Sequence, residues 1–113
     1  MHELSVTESI MGIVQRHAER AGASRVLRIH LVIGELASIV DDSVQFYFDY
    51  LSRGTIAAGA ELAFHRLPVG LACGACEHRW QPQDADWTCP ACGATAARIA
   101  TGREFYVDSI EVE

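Results

Sequence analysis

Four cysteines arranged in two pairs are the residues best suited to chemistry: Cys73-Gly-Ala-Cys76, twelve intervening residues, then Cys89-Pro-Ala-Cys92-Gly93. Two cysteines separated by two residues can turn both sulfurs onto one ion. Two such turns supply the four thiolates of a closed tetrahedral site. Gly74 and Gly93 allow the tight backbone this needs, and Pro90 stiffens the second turn. Soft thiolates in a tetrahedral set favour zinc, although the same ligands also suit a rubredoxin-type iron centre. With all four positions filled by protein, the ion is structural rather than catalytic. His78, two residues past Cys76, is either a solvated loop residue or an alternate ligand and pH-sensitive neighbour of the site.

The amino terminus, Met1-His2-Glu3, is the second informative feature. His2 is too bulky for the usual removal of the initiator methionine, so the mature chain is expected to begin at Met1. The free amine, the backbone nitrogen of His2 and its imidazole Nδ1 can close a five-membered and a six-membered chelate ring around one ion. The fourth position falls to the Glu3 carboxylate, the Glu3 backbone nitrogen or solvent. Planar nitrogen ligation suits Ni(II) or Cu(II). The bland reading is an ordinary frayed terminus. Asp41 and Asp42 are candidate outer partners, but the better reading is Asp42 as only a helix cap and Asp41 as a loop residue.

Composition narrows the function. The 113 residues carry a formal net charge of −6, and all nine basic residues are arginine. A phosphate-binding face requires clustered positive charge; here Arg79 is offset by Glu77, Asp84 and Asp86, which argues against nucleic acid as a partner. A zinc-ribbon module for protein interaction or nucleic-acid binding is the alternative reading of the cysteine pattern. The first thirty residues show neither a signal-peptide pattern nor a membrane span, so the chain is expected in the cytoplasm, where cysteines favour metal over disulfides. No nucleophile arrangement or phosphate loop is present, and an enzyme is not expected.

The elements that must position these residues follow from periodicity. Val6, Ile10, Ile13, Val14, Ala18 and Ala21 form one stripe of a helix from Ser5 to about Ala21, with Ser5 and Glu8 as a capping box and Gly22 as its stop. Arg25 to Ile33 alternates as a strand, with Leu27, Ile29, Leu31 and Ile33 on its apolar face. A second helix is expected from Asp42 to about Arg53, capped by Asp42 and Gln45 and ended by Gly54. Strands follow at Ala60 to Leu67 and Arg103 to Val112, the latter with Tyr106, Ile110 and Val112 on one face. The aromatic group Phe46, Tyr47, Phe48 and Tyr50 is expected mostly in the core. His17 reads as a hydrogen-bonded boundary residue on the inner stripe. His30 and His65 read as solvent-exposed strand residues.

The fold class is therefore α+β: a small mixed sheet of about three strands packed against two helices, with an inserted zinc-ribbon-like lobe. Residues 1–69 plus 98–113 form the main α+β domain, and residues 70–97 form the zinc-binding domain. So little of the inserted segment is aliphatic that its ion is expected to supply most of its folding free energy, on the order of 10 kcal/mol.

Taken in order, the Met1-His2-Glu3 start, the Ser5 helix, Gly34-Glu35-Leu36, Gly54-Thr55 after the second helix and the paired CxxC knuckles before a final strand resemble the HypA/HybF family. These are nickel metallochaperones of nickel-iron hydrogenase maturation. The resemblance covers the whole chain and implies nickel at Met1, His2 and Glu3, with His2 essential, and structural zinc at Cys73, Cys76, Cys89 and Cys92. It further implies cooperation with a HypB-like GTPase, delivery to the hydrogenase large-subunit precursor, a link in some members to urease maturation, and a monomer or weak homodimer.

Overall fold

A computed structural model describes residues 3–39 and 41–113. The elements, in order, are α1 (Glu3–Arg20), β1 (Val26–Gly34), α2 (Asp41–Leu51), β2 (Glu61–Leu67), β3 (Gly70–Cys73), β4 (Arg79–Trp80), β5 (Ala97–Thr101) and β6 (Phe105–Val112). Two three-stranded sheets form, one ordered β2-β1-β6 and the other β4-β3-β5. The class is α+β, as expected. The chain divides into two compact units: Met1–Val32, Ser38–His65 and Tyr106–Glu113 make the first, and Ile33–Ala37 with Arg66–Phe105 the second.

In the first unit the apolar stripe of α1 works as its spacing requires: Ile10, Met11, Val14 and Ala18 are buried. The helix begins at Glu3, two residues ahead of the expected Ser5. Ser5 is thus an interior residue of the first turn and not its cap. Thr7, fully buried, donates its hydroxyl to the Glu3 carbonyl at 2.5 Å and so satisfies its own polar group. The far end closes on Gly22, at φ 66°, with Ala23 N–H bonded to Ala18 and Gly22 N–H to Glu19. That pair of bonds is the Schellman arrangement, which needs a left-handed residue where glycine is strain-free.

α2 begins at Asp41, one residue earlier than expected. Gln45 is not part of its cap. Its amide donates to Asp49 at 2.7 Å, and its carbonyl accepts from Leu62 N–H at 3.2 Å, tying α2 to β2. Val44 and Phe48 are buried, but Phe46 and Tyr50 are 69% and 62% exposed. The aromatic group is therefore mostly outside the core. The four rings span little more than one helical turn, and a single buried stripe holds only one of them.

Strand directions follow from the bonds between strands. Arg25 and Glu113 exchange backbone hydrogen bonds, and Gly34 N–H donates to Glu104 at 2.7 Å, so β1 and β6 run antiparallel. The partners of Arg28, His30 and Glu35 are Glu61, His65 and Leu67, in ascending order, so β1 and β2 run parallel. The sheet is thus mixed, and α2 lies in the crossover that parallel neighbours require. Ile29, Leu31 and Ile33 are fully buried as their alternation demands, but Leu27 is exposed. Val26 is buried in its place, its N–H bonded to the Ile56 carbonyl at 2.8 Å. On β6, Tyr106 and Val112 are exposed rather than covered.

In the second unit, β3 pairs antiparallel with β4 (Leu71 opposite Trp80) and with β5 (Cys73 opposite Ala97). Leu71, Ala72 and Cys73 are buried and make a small core of their own. The Gly34-Glu35-Leu36 turn belongs here, and its first residue has a steric explanation. A Cβ on Gly34 would lie 2.0 Å from the Gly102 carbonyl carbon, so only glycine allows this approach. Glu35 accepts at its carboxylate from Val69 N–H at 3.0 Å and donates its own N–H to Leu67 at 2.8 Å.

Candidate metal centres

Each cysteine pair is built the same way. The first cysteine of each pair, Cys73 or Cys89, is buried, and the second, Cys76 or Cys92, is exposed. The backbone N–H two residues on points at the buried sulfur: Ala75 to Cys73 Sγ at 3.3 Å, and Ala91 to Cys89 Sγ at 3.4 Å. The chain then turns back, with Glu77 N–H bonded to the Cys73 carbonyl and Gly93 N–H to that of Cys89, both at 2.9 Å. Cys73 N–H bonds to the His78 carbonyl and Cys89 N–H to that of Ala94, which closes each knuckle.

The two knuckles bring all four sulfurs within 4.8 Å of one another. Cys73 and Cys92 sulfurs are 3.6 Å apart, as are those of Cys76 and Cys89. Four thiolates at about 2.3 Å from a tetrahedral zinc sit about 3.8 Å apart. The observed spacing fits that figure and is far beyond the ~2.05 Å of a disulfide. The four cysteines can therefore hold a zinc ion.

The electrostatics are divided between the two kinds of cysteine. The backbone N–H groups of Cys76 and Ala75 pull the Cys73 thiol down to about 6. For Cys89, burial pushes upward, but the N–H groups of Cys92 and Ala91 outweigh it and the net direction is down. Cys76 is lowered by the His78 N–H, yet burial and the other three thiols push it up to about 12. Cys92 also ends raised: Ala94 N–H and Cys76 pull it down, while Cys73, burial and Cys89 prevail. Four negative sulfurs this close repel one another, and a divalent cation at their centre removes the conflict.

His78 lies outside this set. It is exposed and stacks on Trp80, with ring centroids 5.8 Å apart. Met1 and His2 lie outside the described residues, whereas Glu3 opens α1 and is half-buried. Asp41, read from the sequence as a loop residue, starts α2. His17 is exposed and lines a shallow hollow with Val107, Asp108, Ser109 and Ile110, so its expected place on the inner stripe is not found.

One cluster escaped the sequence reading. His65 is exposed as expected and His30 is half-buried, and the two are partners: His30 Nδ1 lies 3.0 Å from His65 Nε2. The other His30 nitrogen, Nε2, lies 2.6 Å from Glu111 Oε2. Arg28 reaches Glu61 at 3.4 Å and Glu111 at 3.8 Å beside them. The His30 hydrogen bond, aided by the charges of Arg28 and His30 against some burial, holds the Glu111 carboxyl below its usual range. The only sequence signal was histidine on two separate strands; their pairing register had to be known as well.

The family model for hydrogenase/urease nickel incorporation, metallochaperone HypA, matches residues 1–112. The chain belongs to the HypA family. A hydrogenase maturation factor HypA of Dehalococcoides mccartyi is 43% identical over 113 residues, covering all of this chain and 95% of that protein. The Geobacter sulfurreducens HypA is 39% identical over 113 residues, with both chains fully covered. A solution structure of a HypA protein superposes with a TM-score of 0.82 at 26% identity, covering 100% of this chain and 97% of that one. The solution structure of the nickel metallochaperone HypA from Helicobacter pylori gives 0.70 at 25% identity, covering 99% and 97%. HypA is a metallochaperone family and not an enzyme family. Nickel is the metal its description names, and the four-cysteine centre adds a site with zinc geometry. Among the described residues, no helix is long and apolar enough to cross a membrane.

Proposed function

We propose that this chain binds Ni(II) at its amino terminus and delivers it to the large-subunit precursor of a nickel-iron hydrogenase, while Cys73, Cys76, Cys89 and Cys92 hold a structural zinc ion. The reading is carried by a family match that runs from the first residue of a Met1-His2-Glu3 start through residue 112. Residues 1–69 and 98–113 form the nickel-binding part in this reading, and residues 70–97 the zinc-binding part. The partners are a HypB-like GTPase and the hydrogenase precursor in the cytoplasm, with urease maturation proteins as a further client system. The chain acts as a monomer or weak homodimer.

Nickel is the cargo. The Met1 amine, the His2 backbone nitrogen and the His2 imidazole supply three nitrogens in one plane, a set that suits Ni(II). Glu3 offers the fourth ligand through its carboxylate or backbone nitrogen. Because Glu3 is already the first residue of α1, this short chelate runs directly into a folded helix. A terminal site leaves the ion open to an incoming ligand, so transfer proceeds by ligand exchange. Binding needs the amine and imidazole unprotonated; their reference values are about 7.7–8.0 and about 6.5. Protons therefore compete as pH falls from about 7.5 to about 6, and nickel affinity falls with it.

Two residues added before Met1 test the proposal. The extended chain should lose its nickel site and keep one zinc per chain, and His2→Ala should behave the same way. Nickel binding unchanged by the extension would refute terminal ligation.

A further inference from the structure

We propose that His30 and His65 form a third site for a divalent late transition metal, built from residues of neither centre above. Three strands supply its parts: His30 from β1, His65 from β2 and Glu111 from β6. All three belong to the first compact unit.

Glu111 places a proton on His30. Glu111 Oε2 lies 2.6 Å from His30 Nε2, and a carboxylate is an acceptor only. The bond therefore places a hydrogen on Nε2, which in the neutral ring leaves the lone pair on Nδ1. A carboxylate on the far nitrogen is the arrangement that orients a metal-binding histidine and raises its basicity.

That lone pair faces His65 Nε2 across 3.0 Å. Two nitrogens bound in adjacent positions at about 2.1 Å from an octahedral or square ion are about 3.0 Å apart, so the pair already has the bite of a chelate. With both rings neutral and the His30 hydrogen on Nε2, His65 Nε2–H is the donor to His30 Nδ1. An entering ion takes the place of that hydrogen: solvent carries the His65 proton from Nε2 to Nδ1, so the ring stays a neutral imidazole, and both lone pairs turn toward the metal. His65 is exposed, so its ring is free to make the turn. Imidazole nitrogens favour Ni(II), Cu(II) and Zn(II) over harder ions, and water completes the coordination. Glu111 orients His30 and does not ligate, since it sits on the opposite nitrogen.

The surrounding charge permits a cation. Arg28 lies against both Glu61 and Glu111. With neutral imidazoles the group carries a net charge of −1 from these three side chains. A plain hydrogen-bonded tie between strands would use the same contacts but would have no response to metal.

The experiment uses the full, zinc-loaded chain and Ni(II) as probe, reading the histidine ring signals by NMR. The rings of His30 and His65 should broaden together at one nickel concentration. In His65→Gln the His30 broadening should require at least tenfold more nickel, and in Glu111→Gln about tenfold more. Unchanged backbone signals elsewhere show that each variant is folded. Rings that stay sharp at millimolar nickel, or a His30 response unchanged by His65→Gln, would overturn the proposal. Because each ring is read separately, the outcome does not depend on whether the amino terminus binds nickel.

Discussion

Glu77 and Gly93 occupy equivalent positions, each four residues after the first cysteine of its pair, with left-handed φ values of 65° and 75° and an N–H donated to that cysteine's carbonyl at 2.9 Å. The two knuckles are thus copies in backbone geometry but not in sequence. A left-handed conformation costs a residue with a Cβ about 1–2 kcal/mol. Gly93 avoids that cost and Glu77 bears it, with an exposed side chain. Part of the gain from removing the Cβ is returned as unfolded-state entropy. Glu77→Gly should therefore stabilise the zinc-loaded chain by about 1 kcal/mol, and Gly93→Ala should destabilise it by about the same amount. Denaturant midpoints of the two variants check this; shifts of the same sign would refute the equivalence.

Removing zinc should unfold the β4-β3-β5 sheet. Its buried residues are few, chiefly Leu71, Ala72, Cys73 and Cys89, and two of these four are ligands in the proposed site. β4 has only two residues, Arg79 and Trp80. Such a sheet cannot offset its own chain entropy without the ion, whose contribution is on the order of 10 kcal/mol. A chelator should collapse the amide signals of residues 70–101, and restoring zinc should bring them back. Cys89→Ser should show the collapsed state even with zinc present.

The limits of the sequence reading follow from the same elements. α1 and β1 were legible because each buries a stripe long enough to show its period, as with Ile10, Val14 and Ala18, or Ile29, Leu31 and Ile33. The second sheet was not. β3 is four residues long and β4 two, too short for alternation to stand out, and their pairing depends on the turn between Cys73 and Cys76. The cysteine spacing disclosed the centre but not the strands that carry it. The His30–His65 pair was hidden for another reason: the residues are 35 apart in sequence and meet only because β1 and β2 align in one register.

The aromatic residues of α2 allow a sharp contrast. Phe48 is fully buried, whereas Phe46 is 69% exposed and meets Tyr47 edge-on at 5.6 Å. Phe48→Ala removes buried area and leaves a cavity, so it should cost about 3–5 kcal/mol. Phe46→Ala loses little burial and should change stability by no more than about 0.5 kcal/mol. Paired urea unfolding curves test both, with comparable losses for the two variants as the contrary result.

Glu111 should make part of the stability depend on acid. Its carboxyl is held below the usual range chiefly by the His30 hydrogen bond, with Arg28 3.8 Å away adding to the effect. A carboxyl whose folded pKa is depressed binds its proton more readily in the unfolded chain. Its stabilising contribution is therefore complete above the unfolded value, about 4.3, and is lost as pH falls through the lower folded value. Because the side chain is half exposed, solvent screens the interaction and the effect is modest. Glu111→Gln removes the titration while keeping a similar shape. At pH 6 the parent chain should melt above the variant, and the gap should narrow as the pH is lowered from about 4.3 toward 3. Thermal melts of both chains at several pH values measure that gap; one that stayed constant or widened over this interval would show that the His30 bond does not favour the ionised carboxylate.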